Sequence, residues 1–211
     1  MTELDMTRAT VSQSNLGGAG PDRGKEVLTM ERVGTYGGVY FDLEVSALSV
    51  YQASDASRNG IVGSFGQINV MADTSVELEF AFKDSFTHDP LVLDSTVMTV
   101  YNLQTAMTTA LHAGDSVEGG ATSASRVAVT ASGYEQSRIT YPKSEVTETA
   151  LSADETRFSV TTAAKAFELT STVVGLNTPK LKRLVMLSYS RVSSFKLRFS
   201  VKGGSGGFNF M

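Results

Sequence analysis

Cysteine is absent from the 211 residues, so thiol catalysis, thiolate metal sites and disulfides are excluded together. Tryptophan is absent too, which removes the indole platform on which sugar-binding sandwiches stack pyranose rings. Only two histidines occur, His88 and His112, and they do not stand at a metal-ligand spacing such as HExxH. Nor does any window approach the length of apolar run that a membrane-spanning helix needs. Residues Met1 to Ser14 mix Glu3, Asp5 and Arg8 with Ser and Thr, so the start carries no basic-then-apolar leader pattern and no signal peptide is expected in it. Positive charge is scarce as well. A net charge of −4 repels nucleic acid and anionic membranes at long range and leaves protein, self-association or glycan as the expected partners.

What is present is an apolar share of 41% with 19% charged residues, enough to bury a core and too little charge for a disordered chain. Residues 1–24 hold a Gly- and Ser-rich stretch, VSQSNLGGAGPDRG, that reads as an N-terminal arm or loop. Residues 25–211 read as one domain. Alternation dominates that domain. Val39, Phe41, Leu43 and Val45 face one way while Tyr40, Asp42, Glu44 and Ser46 face the other. Val76, Leu78, Phe80 and Phe82 alternate with Glu77, Glu79 and Lys83, and Phe195, Leu197, Phe199 and Val201 with Lys196 and Arg198. One polar face is acidic and the other basic, so neighbouring placement would set Glu77 and Glu79 across from Lys196 and Arg198.

Further strands are expected within Glu26–Arg32, Gly66–Met71, Thr96–Leu103, Arg126–Ala131, Arg157–Thr162, Glu168–Leu176 and Leu184–Tyr189, which brings the total to around ten. Turn chemistry separates them at Gly37-Gly38, Asn59-Gly60, Gly119-Gly120, Ser132-Gly133 and Asn177-Thr178-Pro179. The spacing, with no amphipathic helix between strands, predicts an all-β fold, a two-layer antiparallel β-sandwich of jelly-roll-like kind. A helix is considered only for Leu103 to Ala113, against the low helix propensity of its threonines. The closing GGSGGFNFM has three readings: a last strand whose Phe208 and Phe210 fill the core, a tail that docks as a strand into another subunit, or a disordered end.

Acidic side chains are the remaining source of metal ligands. Asp84, Asp89 and Asp94 stand five residues apart in KDSFTHDPLVLD, a spacing that would let a loop gather them around a structural Ca²⁺, or serve as turn residues through Asx hydrogen bonds. Asp42 and Glu44 form a second acidic pair on an outward face, open to the paired-carboxylate chemistry of glycosidases or to plain solvation. No GxSxG elbow and no phosphate loop with a following helix occurs, and His88, in FTHDP, reads as a solvated turn residue.

The segments VGTYGGVYFDLEVSA, ASRNGIVGSFGQINV, SVELEFAFKDS, VMTVYNL and SSFKLRFSV resemble uncharacterised secreted or surface β-sandwich domains of marine microbes and algae. In that pattern the strand ending YNL continues into an acidic residue, whereas Gln104 stands here. The resemblance implies an extracellular or cell-surface module and no reaction. The expected function is a non-enzymatic structural or adhesive module of an extracellular or surface assembly, with a carbohydrate-binding module, calcium-assisted or not, as the alternative.

Overall fold

The computed structural model describes residues 2, 4–101, 103, 105–107, 124–139, 144–160, 182–203 and 206–211. Among them, fifteen strands form two antiparallel sheets. In chain order these are β1 (Thr10–Ser14), β2 (Val27–Tyr36), β3 (Val39–Ala47), β4 (Gly60–Val62), β5 (Phe65–Val70), β6 (Ser75–Asp84), β7 (Leu93–Tyr101), β8 (Thr105–Met107), β9 (Ala124–Ser132), β10 (Gln136–Arg138), β11 (Val146–Ala150), β12 (Glu155–Val160), β13 (Val185–Val192), β14 (Ser194–Lys202) and β15 (Gly206–Phe210). One sheet runs β1-β2-β3-β6-β14-β9-β12-β11, with β8 also on β9; the other runs β10-β13-β7-β15-β5-β4. Successive strands change layer repeatedly, as at β3 to β4, β5 to β6, β6 to β7, β13 to β14 and β14 to β15 among others, which makes the fold a two-layer sandwich.

Alternation decides which side chains meet between the layers. Val76, Leu78, Phe80 and Phe82 of β6, and Phe195, Leu197, Phe199 and Val201 of β14, are all buried, as the period-two pattern requires. Across the gap Tyr189 of β13 stacks on Phe195 at 4.4 Å, Phe208 of β15 meets Phe199 at 4.2 Å, and Phe210 sets its edge against Phe80 at 5.4 Å. Removing one such ring costs about 3–5 kcal/mol in a core of this kind. Gly66 is required by the same packing, because a β-carbon there would lie 2.4 Å from the Phe210 ring.

The polar faces of β6 and β14 meet in the anticipated register. Lys196 stands opposite Glu79 and Arg198 opposite Glu77, and the Arg198 guanidinium donates to Glu77 at 2.9 Å. Arg198 is held above its ordinary range chiefly by that hydrogen bond. The β2–β3 hairpin closes through Gly37 and Gly38 at φ 60° and 86°, the paired left-handed geometry that a two-residue hairpin turn needs.

Two expectations need correction. The segment 1–24, read as an arm or loop, packs into the body: Leu4, Met6 and Leu16 are buried in the core, β1 pairs with β2, and the Thr2 amide donates to the Ser95 carbonyl. In the stretch considered for a helix, Thr105–Met107 is the strand β8, while 104 and 108–113 lie outside the described residues. The C-terminal run is the last strand of its own sheet, with Phe208 and Phe210 buried and β15 lying between β5 and β7. The strand expected at 168–176 and the turns at 119–120 and 177–179 lie outside the described residues.

Candidate functional site

The departure from regular pairing that matters most lies in β2. Met30 pairs with Leu43 and Gly34 with Phe41, so β2 spends extra residues over the same span of β3 and bulges. Val33 drops into the core while Arg32 turns outward with a φ of 58°, a left-handed conformation that costs a non-glycine residue on the order of 1 kcal/mol. The bulge is held from below. Asp42 accepts the Arg32 amide at 2.9 Å on Oδ1, and the Ser85 hydroxyl donates to the same oxygen.

Asp42 was expected outside, on the solvated face with Glu44; it is 3% exposed. The bulge and the β6–β7 loop cover it, and His88 Nδ1 lies 3.9 Å from its second oxygen. Glu44 pairs with Lys25 at 2.6 Å. The shallow pocket of about 270 Å³ that these residues line, with Lys83 and Glu31, therefore has its central carboxylates already engaged. Paired-carboxylate hydrolysis needs two groups free to face a substrate, and Asp42 is spent on the backbone.

The three aspartates of the proposed calcium loop are employed separately. Asp84 accepts the amides of Phe86 and Thr87 at 2.8 and 2.9 Å, an Asx turn, and these bonds hold its carboxyl below the ordinary aspartate range. Asp89 gives its carbonyl to the Asp84 amide, and Asp94 on β7 hydrogen-bonds the Tyr36 hydroxyl, which raises the tyrosine. Among the described residues no three His, Asp or Glu side chains are grouped to hold a metal ion. His88 sits in the turn at φ 62° with its side chain largely in water, and His112 lies outside the described residues.

The larger opening lies on the other side of the bulge. It is a groove of about 610 Å³ between the N-terminal segment, which supplies Asp5, Thr7 and Arg8, and the bulged hairpin, which supplies Arg32, Thr35 and Tyr40. All six of these residues are exposed. The Arg32 guanidinium lies over the Tyr40 ring, 5.9 Å from its centre, a cation–π contact of about 0.5–1 kcal/mol at an exposed site. Asp5 is tied down by the Thr7 amide at 2.9 Å and hydroxyl at 2.5 Å, and with Arg8 nearby its carboxyl is held low, the Thr7 hydroxyl being the main cause. Among the described residues neither Arg8 nor Arg32 forms an ion pair.

No family model and no curated protein matches this chain. Among solved structures it is similar to the N-terminal domain of the Streptococcus gordonii adhesin Sgo0707, at 11% identity with a TM-score of 0.47. That alignment covers 99% of this chain and 59% of the other, so the chain spans little more than half of that structure's length. The sandwich assignment rests on the strand pairing itself.

Tyr40 was read as an outward residue of an alternating strand, while Arg8 and Arg32 were not singled out as site residues. A glycine inside a strand, Gly34, was the available signal for the bulge, and Leu4 and Met6, two apart, for a packed N-terminal segment.

Proposed function

We propose that the chain is a non-enzymatic adhesive module, a β-sandwich building block of an extracellular or cell-surface assembly, and that the groove beside Tyr40 is its contact site. The observation that carries this reading is the pair of exposed guanidinium groups, Arg8 and Arg32, that line one groove and form no ion pair among the described residues. Donors set in place before a ligand arrives lose little freedom on binding, so a groove walled by a paired hairpin is a favourable place for recognition. The exposed lining suits holding a partner in water better than it suits chemistry that depends on a dry site. Thr35 adds a hydroxyl that exchanges hydrogen bonds with a hydrated partner, and the Thr7 oxygen, whose proton goes to Asp5, adds an acceptor.

Beads coated with the chain and drawn by flow over polysaccharide and protein surfaces test the reading. Retention that survives washing, with the coating left chemically intact, is the expected result. Passage over every coating without retention, or release of shortened polymer, overturns it. Association with further copies of the chain is part of the same proposal, and the native mass by light scattering reports it directly.

A further inference from the structure

The geometry points to a ligand class for the groove: we infer that it takes a sugar bearing a single carboxylate, such as a uronate residue within an otherwise neutral glycan. This rests on the adhesive reading for the site and goes beyond it in naming the chemistry. Arg32 decides the argument. Its backbone amide donates to Asp42, and its guanidinium carbon lies 5.9 Å from the centre of the Tyr40 ring. Among the described residues the guanidinium forms no ion pair, so its N–H groups are left to donate, and a carboxylate matches that fork with two parallel hydrogen bonds.

Arg8 stands on the opposite wall and gives the groove a second positive group. Asp5 is the acid of the same lining; its Oδ1 already accepts the Thr7 amide and hydroxyl, so it is turned to its own segment. Among the described lining residues Arg8, Arg32 and Asp5 leave a balance of one positive charge, on a chain of net −4. One ligand carboxylate satisfies that balance, while a polyanion meets the repulsion of the whole molecule.

The rest of the lining favours a sugar over an acidic peptide. Thr2, Thr7 and Thr35 offer hydroxyl oxygens for ring hydroxyls, and among the described residues no aliphatic side chain lines the groove to hold a peptide's apolar groups. Tyr40, 54% exposed, gives the pyranose an apolar edge to lie against.

The probe is cellobiouronic acid, compared with cellobiose, which lacks only the carboxylate, and with an uncharged-flanked glutamate tripeptide. Titration into isotope-labelled protein is read by the amide shifts of Arg32, Gly34 and Thr35, which also report folding. Saturable shifts with cellobiouronic acid, at an affinity about tenfold or more above cellobiose and above the tripeptide, are expected. Arg32→Gln should weaken binding by about tenfold, Arg32→Lys by less, and Arg8→Gln, outside any strand, should weaken it without disturbing the hairpin.

Equal binding of cellobiose removes the carboxylate, and tighter binding of the tripeptide replaces the sugar. Unchanged affinity in both Arg32→Gln and Arg8→Gln removes the groove. Beads held by neutral or protein coatings while cellobiouronic acid causes no shift would overturn this inference and leave the adhesive reading standing. Beads that pass over every coating would remove the adhesive reading itself.

Discussion

Two polar regions of this sandwich are built from similar residues and behave in opposite ways. Around Tyr51 the groups consume one another. The Tyr51 hydroxyl meets the Asn69 carbonyl at 2.5 Å and accepts from Asn59 Nδ2 at 2.8 Å, Asn59 Oδ1 accepts the Asn69 amide at 2.8 Å, and Asn69 Oδ1 takes the Asp55 amide and the Ser54 hydroxyl. At the groove, Arg8 and Arg32 keep donors facing water. Polarity therefore does not mark a site. Hydrogen-bonding capacity left over after the fold has been satisfied does, and the first region holds the chain together while the second has something to offer a partner.

Substitutions separate the two regions by size of effect. Asn69→Ala leaves the Asp55 amide and the Ser54 hydroxyl without their acceptor and should lower stability by about 2–3 kcal/mol, read as a shifted denaturation midpoint at constant slope. Asp42→Asn loses the charge beneath the bulge at unchanged volume and should cost about 1–2 kcal/mol, with the amide shifts of Arg32 and Gly34 moving. An Asn69→Ala protein as stable as the parent would show that its network is decoration.

The cross-strand pair sits lower on the scale. A double-mutant cycle on Glu77 and Arg198 should return a coupling of about 0.2–1 kcal/mol, shrinking with added salt. Arg32→Gln should lower stability by no more than about 1 kcal/mol, since its guanidinium contacts only the exposed Tyr40 ring among the described residues. A large loss there would move Arg32 from the offering region into the consolidating one.

Alkaline titration sharpens the same contrast. Burial pushes Tyr51 up to about 12, while Asn59 pulls weakly the other way. Its folded value lies above its unfolded one, so its contribution is complete below pH 10 and is lost as pH rises from 10 towards 12. Phenolate absorbance at Tyr51 should thus appear together with unfolding. At the acid end Asp84 runs in the reverse sense: its carboxyl is held below the ordinary 3.8, so the Asx turn contributes above that pH and is lost as pH falls through the lower folded value.

Much of the sandwich was legible where one face is apolar throughout. The alternation in β6 and β14 set their burial, and their acidic and basic outer rows carried even their register; in β3 it held for Phe41, Leu43 and Val45, while Val39 is exposed and Asp42 buried against expectation. The groove was not legible for a physical reason. Arg32 itself takes the left-handed backbone, where a glycine would be the usual marker, and the carboxylate that stabilises that turn, Asp42, looks in sequence like any outward residue of an alternating strand. The three-residue strands β4, β8 and β10 are too short for a periodic pattern, and β1 has exposed Thr10, Val11 and Ser12 where burial would have shaped its composition.

The place of β15 has a consequence for how the protein is made. Phe208 and Phe210 belong to a strand between β5 and β7, so during synthesis the smaller sheet has an empty lane until Phe210 has cleared the ribosome. Until then, two interior strands expose unpaired backbone, and the aromatic cluster around Phe80 and Phe199 lacks its lid. The sandwich is thus locked after translation of its last strand, by a keystone rather than by layers added in order.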